Sequence, residues 1–566
     1  MKRKSLKYQA LFRFIVAVAI LLLLNFIGNQ YYARFDLTKE KRYSLSTATK
    51  QLLNSLDDEV YVKIYLEGEF PAGFKRLRNS AKETLDEFKA YSGNNIEYVF
   101  INPSLGTVEE RNALYKELNA KGLMPTNLQV KGEEAYSQKI IFPGAIFTYQ
   151  GRELPVQLLE NQIGFGPQQV LNNSVELLEY KFANSIKKLT QRNRPRILFT
   201  RGQGELPDRN ITDFVKTLQG LQYSVDTINL TQQFIPQTAN VLIVAKPTLP
   251  FREQEKFKID QFIMNGGSVL WLVDAMDAEM DSLQGKPVYF SQPRNLNLED
   301  QLFKYGVRLN YDLVQDLQCN QIPLVVGMLG DQPQMELRPW YYYPLVVSNN
   351  EHAIVRNLDA VAFRFAGTID LVGKDSASVS KTPLLHSSQY SKALLSPVRL
   401  HFSMLKEPPD QNTFQQKNLL LGALLEGKFE SVFKNRVASS FAQALDSLEQ
   451  PFLEQSIFSK MIVLSDGDVI KNDVSKTGSV YPLGFYPYTE QTFANKDFLL
   501  NCIEYLVDDI KLIETRNKEV RLRLLDNTKV KAEAAKWQLI NVAVPLFVIA
   551  FFGIIFNWIR KRRYSR

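Results

Sequence analysis

The sequence predicts an α/β protein carried between two membrane-spanning helices. Apolar runs stand at residues 11–27 and 539–559, and clusters of basic residues flank them on their outer sides. Between the two runs, short apolar strands alternate with amphipathic helices, which is the pattern of parallel sheets covered by helices. The 566 residues are 45% apolar and 23% charged, so the chain is not disordered and has room for about three or four domains.

The net charge of +8 comes from the two ends. Ten of the 68 basic residues lie in the first 13 and the last seven positions, and the remainder is slightly acidic. Nucleic-acid binding needs a basic face, so this distribution excludes nucleic acid as a partner. The two cysteines exclude a disulfide scaffold, and without a CxxC pair they exclude a zinc ribbon or a thioredoxin-type redox motif.

The two apolar runs predict membrane anchors, assigned to residues 11–29 and 538–559. The first run is followed by no small-x-small pattern, which favours an uncleaved anchor over a signal peptide. The second contains Pro545, which membrane helices tolerate. Short basic segments resist translocation, so the tips 1–10 and 560–566 are expected in the cytoplasm, with the bulk of the chain on the other side of the membrane.

Residues 30–190 predict a small α/β domain of thioredoxin-like type. Ser46 is a suitable N-cap for the first helix, and Gln150-Gly151 forms a turn between two paired strands. Without a CxxC pair this domain is a binding or structural module. The predicted elements are helix 47–56, strand 60–66, helix 74–91, strand 96–102, helix 108–121, strands 139–147 and 153–159, and helix 172–189.

Residues 191–510 predict a doubly wound parallel sheet, because strands and helices alternate regularly. An irregular insertion is expected at about 281–455, and residues 511–537 predict a helical stalk that leads into the second span. The predicted elements are strand 196–200, helix 211–220, strands 225–229 and 241–245, helix 252–265 ending at Gly266-Gly267, strands 268–273 and 460–464, and helix 495–507.

The sequence contains no recognisable catalytic motif. Walker A, G-x-S-x-G, HExxH and EF-hand patterns are absent, and the three histidines, His352, His386 and His401, are widely spaced. Cys502 lies on a predicted helix and is interpreted as a buried, inert thiol, and Cys319 has no histidine nearby in the sequence. We therefore expect neither an enzyme nor a bound cofactor.

One group of acidic residues is a candidate ligand site. Glu205, Asp274, Asp466 and Asp468 all follow predicted strands, and the carboxyl ends of parallel strands share one edge of a sheet. Carboxylates there can hold a divalent cation through their oxygens. The alternative is that these residues only shape turns, where Asp and Gly are common.

Several ordered motifs give the chain a resemblance to the GldG family. They are Arg34-Phe-Asp-Leu-Thr-Lys-Glu-Lys-Arg-Tyr-Ser-Leu-Ser, Val60-Tyr-Val-Lys-Ile-Tyr-Leu, Ile197-Leu-Phe-Thr-Arg-Gly-Gln-Gly-Glu, Gly266-Gly-Ser and Asp466-Gly-Asp. The family comprises auxiliary proteins of ABC transporters associated with gliding motility. The resemblance implies a permease subunit and a cytoplasmic ATPase subunit as partners, and an inner-membrane location with the bulk in the periplasm.

The resemblance also implies that the central domain is similar to glutamine amidotransferases. Enzymes of that fold use a nucleophilic cysteine at a turn between a strand and a helix. The matching stretch, Val241-Leu-Ile-Val-Ala-Lys-Pro-Thr, has no cysteine, so amidotransferase activity is not expected. No ligand-contacting residues carry over from the family's substrate-binding label.

Three hypotheses of function follow. The first is a non-catalytic auxiliary subunit of an ABC transporter, whose spans lie in membrane lipid and contact permease helices. Asn25, Asn541 and Asn557 would then bond across helices, or instead meet headgroups at the membrane surface. The second is a periplasmic scaffold or sensor that docks envelope proteins through the tyrosine-rich segments 340–344 and 481–488, which could equally be core. The third is a metal-dependent hydrolase at the acidic edge.

Overall fold

The computed structural model describes residues 12–23, 44–131, 136–160, 166–191, 193–330, 332–348, 350–373, 378–405, 409–436, 452–508, 510–517 and 527–564. The chain divides into two compact units, Met1–Lys518 and Glu519–Arg566. The larger unit includes a short apolar helix near its start, α1 (Phe12–Leu23).

The first sheet of the larger unit has four strands. The elements of this part are α2 (Thr47–Asn54), β1 (Val60–Ile64), α3 (Ala72–Tyr91), β2 (Ile96–Phe100), α4 (Val108–Ala120), β3 (Thr126–Lys131), β4 (Tyr136–Ile141), β5 (Gly144–Tyr149), β6 (Arg152–Gln157), α5 (Pro167–Glu176) and α6 (Leu178–Thr190). The strand order is β2-β1-β5-β6. β1 is parallel to β2 and antiparallel to β5, and β5 is antiparallel to β6.

Local sequence explains where several of these elements begin. The Ser46 hydroxyl caps α2 by accepting a hydrogen bond of 3.1 Å from the Thr49 backbone nitrogen, as predicted. Helix α5 begins earlier than predicted, because Gly166 and Pro167 form its first turn. The structure divides the predicted strand 139–147 between β4 and β5, and β4 pairs with β3, a strand that was not predicted, in a separate hairpin. The thioredoxin-like assignment stays a prediction.

The rest of the larger unit is built on a seven-stranded sheet. The elements are β7 (Arg196–Arg201), α7 (Thr212–Gly220), β8 (Ser224–Asn229), β9 (Val241–Ala245), α8 (Glu253–Met264), β10 (Ser268–Leu272), β11 (Tyr289–Ser291), α9 (Glu299–Tyr305), β12 (Val307–Leu309), β13 (Asp312–Asp316), β14 (Cys319–Leu329), β15 (Gln332–Val346), β16 (Val361–Ala362), β17 (Ile369–Leu371), β18 (Val379–His386), β19 (Ser391–Leu395), β20 (Val398–Leu400), β21 (Leu420–Gly427), β22 (Ser459–Leu464), β23 (Phe485–Tyr486), β24 (Gln491–Thr492) and α10 (Asn495–Val507).

The strand order of the large sheet is β18-β21-β22-β10-β9-β7-β8. The five strands from β22 to β8 are parallel to one another, and β21 and β18 run antiparallel at one edge. The chain passes from β7 outward to β8 and then returns to β9 on the other side of β7. This reversal makes β7 and β9 the switch point of the sheet, where doubly wound folds usually bind ligands.

Apolar side chains cover both faces of the parallel strands. Every residue of β9 and β10 is buried. On one face Phe199 and Leu270 pack in a core with Phe498 of α10, and on the other face Trp271 packs in a core with Ile263 of α8. Burial on two faces explains why these strands are continuous apolar runs in the sequence.

The region predicted as an irregular insertion is rich in strands. Two of them, β21 and β18, complete the large sheet, so that sheet is mixed rather than purely parallel. A long hairpin, β14-β15, projects from the same region and exposes Val325, Met328 and Met335 towards its tip. Its base is buried: Trp340 to Tyr343 pack in a core, so this tyrosine-rich segment is not a surface patch.

The predicted boundary between residues 190 and 191 does not separate two compact units. Helix α6 of the first sheet is joined to helix α10 of the second by buried polar contacts. Glu504 receives hydrogen bonds from Lys188 (2.5 Å), Asn184 (2.9 Å) and Tyr180, and Lys187 pairs with Asp508 at 2.8 Å. These contacts tie the two sheets into one unit.

The smaller unit consists, in its described part, of one helix, α11 (Asn527–Tyr564). Its segment Glu533–Arg562 is long and apolar enough to cross a membrane, and it continues through Pro545 without ending. Helix α1 is shorter, so within the described residues only α11 meets the length of a membrane span. The remainder of the first predicted span, from residue 24 onward, lies outside the described residues.

Candidate functional site

The loops after β7 and β9 close the crevice at the switch point of the sheet. Thr248 donates its backbone hydrogen to the Gln203 carbonyl at 2.8 Å, and Leu206 donates to the Ala245 carbonyl at 3.1 Å. Gly204 has a φ of +70°, and a Cβ there would lie 2.2 Å from the Thr248 hydroxyl oxygen. The close approach of the two loops therefore depends on glycine.

Lys246 lies directly after β9 and is the centre of a buried ion cluster. Its backbone has a φ of 54°, an uncommon conformation for a residue with a side chain. Its Nζ lies 2.7 Å from Asp468 Oδ2, 3.3 Å from Asp274 Oδ2 and 3.5 Å from Glu279 Oε1. A Cβ at position 467 would approach Lys246 Cβ to 2.5 Å, so Gly467 is needed where the two loops meet.

The carboxylates of the cluster also hold the backbone of the loop after β22. Asp274 Oδ1 accepts a hydrogen bond of 2.5 Å from the Gly467 nitrogen. Asp466 accepts hydrogen bonds from the backbone nitrogens of Arg364 (2.5 Å) and Asp468 (2.7 Å). These residues therefore shape the loops through hydrogen bonds to the backbone and also take part in ion pairs.

Burial and neighbouring charges shift the pKa values of the cluster in opposite directions. Burial, with the Asp468 and Asp274 carboxylates nearby, holds the pKa of Asp466 well above its usual range. Burial also raises the pKa of Asp274, although Lys246 opposes the shift. The pKa of Asp468 falls despite burial, because Lys246 and Lys471 favour its charged form. Burial acts to lower the pKa of Lys246, but the surrounding carboxylates outweigh it and raise this pKa.

A second ion pair stands beside the cluster and borders a cavity. Arg364 binds Asp473 through both terminal nitrogens, at 2.9 and 2.6 Å, the geometry that favours guanidinium–carboxylate recognition. The adjoining cavity has a volume of about 520 Å³ and is lined by Lys246 and Asp468, by Arg364 and Asp473, and by aromatic side chains. A larger cavity of about 970 Å³ lies around α9.

The structure brings together three of the four acidic residues proposed from the sequence. Asp274 and Asp468 pair with Lys246 at the carboxyl edge of the sheet, and Asp466 lies beside them and accepts the backbone hydrogen of Asp468. Glu205 belongs to the neighbouring loop, where its carboxylate accepts the backbone hydrogen of Gln203 at 2.9 Å. Among the described residues it takes no part in the ion cluster.

Sequence reasoning missed the cationic members of the site. Lys246 could have been noticed, because it follows the wholly apolar strand 241–245, where a charged residue needs a partner. Arg364 and Asp473 are separated by more than 100 residues, and no motif in the sequence links them.

The acidic edge is an ion-paired cluster in which a lysine provides the positive charge. In the part of the chain that the structure describes, no group of three or more His, Cys, Asp or Glu side chains is arranged to hold a metal ion. Asp274 instead pairs with Lys246, and Asp466 accepts hydrogen bonds from the backbone. A divalent cation would have to displace these contacts.

The two thiols lie in surroundings that disfavour the reactive thiolate. Cys502 is completely buried on α10, and burial raises its pKa well above the usual range. Burial, with the Asp316 carboxylate nearby, raises the pKa of Cys319 to about 12. A nucleophilic cysteine is activated by a lowered pKa, which is the opposite condition.

Comparison with known proteins matches two family models to the chain. Residues 194–502, which contain the large sheet and its ion cluster, match a family described as an ABC-type uncharacterized transport system. Residues 39–148 match a domain of unknown function. An uncharacterized protein of Borreliella burgdorferi is 21% identical over 542 residues, which is 94% of each chain.

A solved structure, the N-terminal domain of mmIFT52, is similar at 13% identity. It covers 55% of this chain and 97% of its own, with a TM-score of 0.30, which is too low to support an argument. The family match is stronger, since it covers more than half of the 566 residues and includes the whole large sheet. The chain therefore belongs to the ABC-type transport system family, and its role is that of an auxiliary protein associated with an ABC transporter.

Proposed function

We propose that this chain is a membrane-anchored, non-catalytic subunit that binds the permease and the cytoplasmic ATPase of an ABC transporter. In this proposal both termini lie in the cytoplasm and the two-sheet unit lies in the periplasm. The observation that carries it is the combination of an ABC transport domain with a helix, Glu533–Arg562, that can span a membrane. A domain joined to such a helix is in place to act on partners within the membrane.

The distribution of charge supports this orientation. The four residues from Arg560 to Arg563 are all basic and follow the apolar part of α11 directly. Short basic segments stay on the cytoplasmic side because they resist translocation. The basic residues before α1 favour the same side for the other end, so the two-pass arrangement follows if α1 extends into a full span.

The ion cluster supports a structural rather than a catalytic role. Lys246 is 3% exposed and held by three carboxylates, so it stays protonated and cannot act as a nucleophile or base. Asp466 and Asp274 likewise face backbone hydrogens of the protein. The link to gliding motility is part of the proposal and is supported by the sequence resemblance alone.

Copurification tests the proposal. A C-terminal affinity tag is added to the full chain, native membranes are solubilised in mild detergent, and the bound proteins are quantified by mass spectrometry. Stoichiometric recovery of a polytopic permease and an ABC ATPase is expected. Recovery of envelope proteins without a transporter would contradict it and favour the scaffold or sensor alternative.

A matched variant makes the experiment sharper. Asn541 and Asn557 are the polar side chains within the apolar part of α11, and both are exposed on that helix in the smaller unit. Changing both to Leu removes two hydrogen-bonding groups without shortening the span. If these groups bond to permease helices, we expect weaker recovery of the transporter, whereas a Leu546→Ile change in the same helix should leave it unchanged.

A further inference from the structure

The cavity beside the ion cluster has the size of a small-molecule site. It encloses about 520 Å³ at the carboxyl edge of the large sheet. Small-molecule sites in proteins usually measure about 300–1,000 Å³ and combine apolar walls with a few placed polar groups. It is lined by Lys246 and Asp468, by Arg364, and by residues 474–476, 481 and 486–488.

Aromatic rings form much of the wall, and neighbouring rings fix their positions. Phe402 packs against Trp340, with ring centres 5.6 Å apart. Tyr481 packs against Phe485 at 5.3 Å and is half-buried, so part of its ring borders the cavity. Tyr488 is 55% exposed at the rim. The cavity thus offers preformed flat apolar surfaces to a ligand.

The charges around the cavity balance one another. Four basic and four acidic side chains line it, and the innermost of them are paired within the protein. Lys246 binds Asp468 at 2.7 Å, and Arg364 holds Asp473 through two hydrogen bonds. A strongly charged ligand would find no surplus of opposite charge, so the lining favours a neutral molecule.

One buried acceptor of the lining lacks a hydrogen bond. Asp468 is more than nine-tenths buried, and its Oδ1 atom has no hydrogen-bond partner among the described residues, with Lys471 Nζ at 3.4 Å as its nearest ion-pair contact. A buried acceptor left without a hydrogen bond costs free energy, so a donor supplied by a ligand would stabilise it.

From these features we propose that the cavity binds a neutral carbohydrate of one or two sugar rings. A sugar ring presents a face of C–H groups, which packs on aromatic rings such as Tyr481 and Phe402. Its edge carries hydroxyl groups, and one of them would donate a hydrogen bond to Asp468 Oδ1 after a small side-chain shift that opens this buried atom to the cavity. The apolar face of a sugar ring fits the aromatic rings, its neutrality fits the balanced charge, and its hydroxyl donors fit the unsatisfied Asp468 acceptor. The proposal does not depend on the transporter association.

Saturation-transfer NMR with a panel of neutral disaccharides tests the proposal. The full chain is placed in lipid nanodiscs, because glycoside detergents would compete for the cavity. Maltose, cellobiose, lactose and chitobiose serve as probes at millimolar concentration. Transfer to at least one of them, strongest at protons on one face of the ring, is expected. Absence of transfer to every sugar of this panel overturns the proposal.

Variants of Tyr481 test whether the sugar binds at this cavity, and their unfolding is measured to show that a loss of binding is not a loss of folding. Tyr481→Ala should weaken binding by roughly 3- to 10-fold, the range expected for losing one aromatic contact. Tyr481→Phe keeps the ring and should retain binding. Tyr390→Ala, at an exposed tyrosine outside the cavity lining, is the control. Equal affinity of the Tyr481→Ala variant, with unfolding unchanged from the native chain, would contradict a site at this cavity.

Discussion

Replacing Lys246 by Met should destabilise the larger unit strongly. Its ammonium lies 2.7 and 3.3 Å from two buried carboxylates, Asp468 and Asp274. At an effective dielectric constant of about 20, these two attractions amount to about 6 and 5 kcal/mol. Desolvation of the three ions offsets much of that gain, so removing the lysine alone should cost about 3–5 kcal/mol in the free energy of unfolding.

Urea unfolding followed by tryptophan fluorescence measures this cost. Trp271 reports on the fold, because it is fully buried in β10, close to the cluster. Lys476→Met is the matched control, since this exposed lysine lines the same cavity and should change stability by less than about 0.5 kcal/mol. Adding Asp468→Asn to the Lys246→Met variant should recover about 1–3 kcal/mol. A loss below about 1 kcal/mol, or one equal to the control, would refute the buried ion cluster as a source of stability.

Three further predictions concern the glycine contact, the junction of the sheets and the topology. Gly467→Ala should cost about 1–3 kcal/mol in unfolding free energy, because its Cβ would lie 2.5 Å from that of Lys246, whereas Gly220→Ala, with nothing within 4 Å, should be nearly neutral. Glu504→Gln should cost about 3 kcal/mol at neutral pH, because the Lys188 ammonium is then buried without its partner. Lys188 keeps the pKa of Glu504 low despite burial, so its contribution is present above the ordinary glutamate pKa of about 4.3 and is lost as pH falls through the lower folded value. The free energies of unfolding of the native chain and of the Glu504→Gln variant should therefore converge as the pH falls. A difference that stays constant down to the lowest pH would contradict this origin. A reporter that is active only in the cytoplasm should be active when it is fused to the C-terminus. An inactive reporter would contradict the predicted topology.

The elements that the sequence predicted well are those with a strong local pattern. Strand β9 is a run of five apolar residues, and helix α10 has a clear helical period, and both were placed at their correct bounds. The carboxyl-edge rule brought Asp274, Asp466 and Asp468 together correctly, because it depends only on strand direction.

The parts that the sequence did not predict depend on distant partners. Strand β18 is stabilised by pairing with β21, which lies more than 30 residues away, and its own sequence does not alternate clearly. The tyrosines of β15 could be surface or core by composition, and only packing decides that Tyr342 is buried. Lys246 was missed because a single lysine after a strand usually lies in solvent, and its three partners come from two distant loops, one after β10 and one after β22.

Photocrosslinking in native membranes tests the transporter association most directly. A photoreactive amino acid is placed in turn at positions along the span Glu533–Arg562, including 541 and 557, and the crosslinked proteins are identified by mass spectrometry. We predict adducts with a polytopic ABC permease from one face of the helix, repeating every three to four positions. Adducts with lipid alone at every position, in cells that also produce the transporter, would contradict the association.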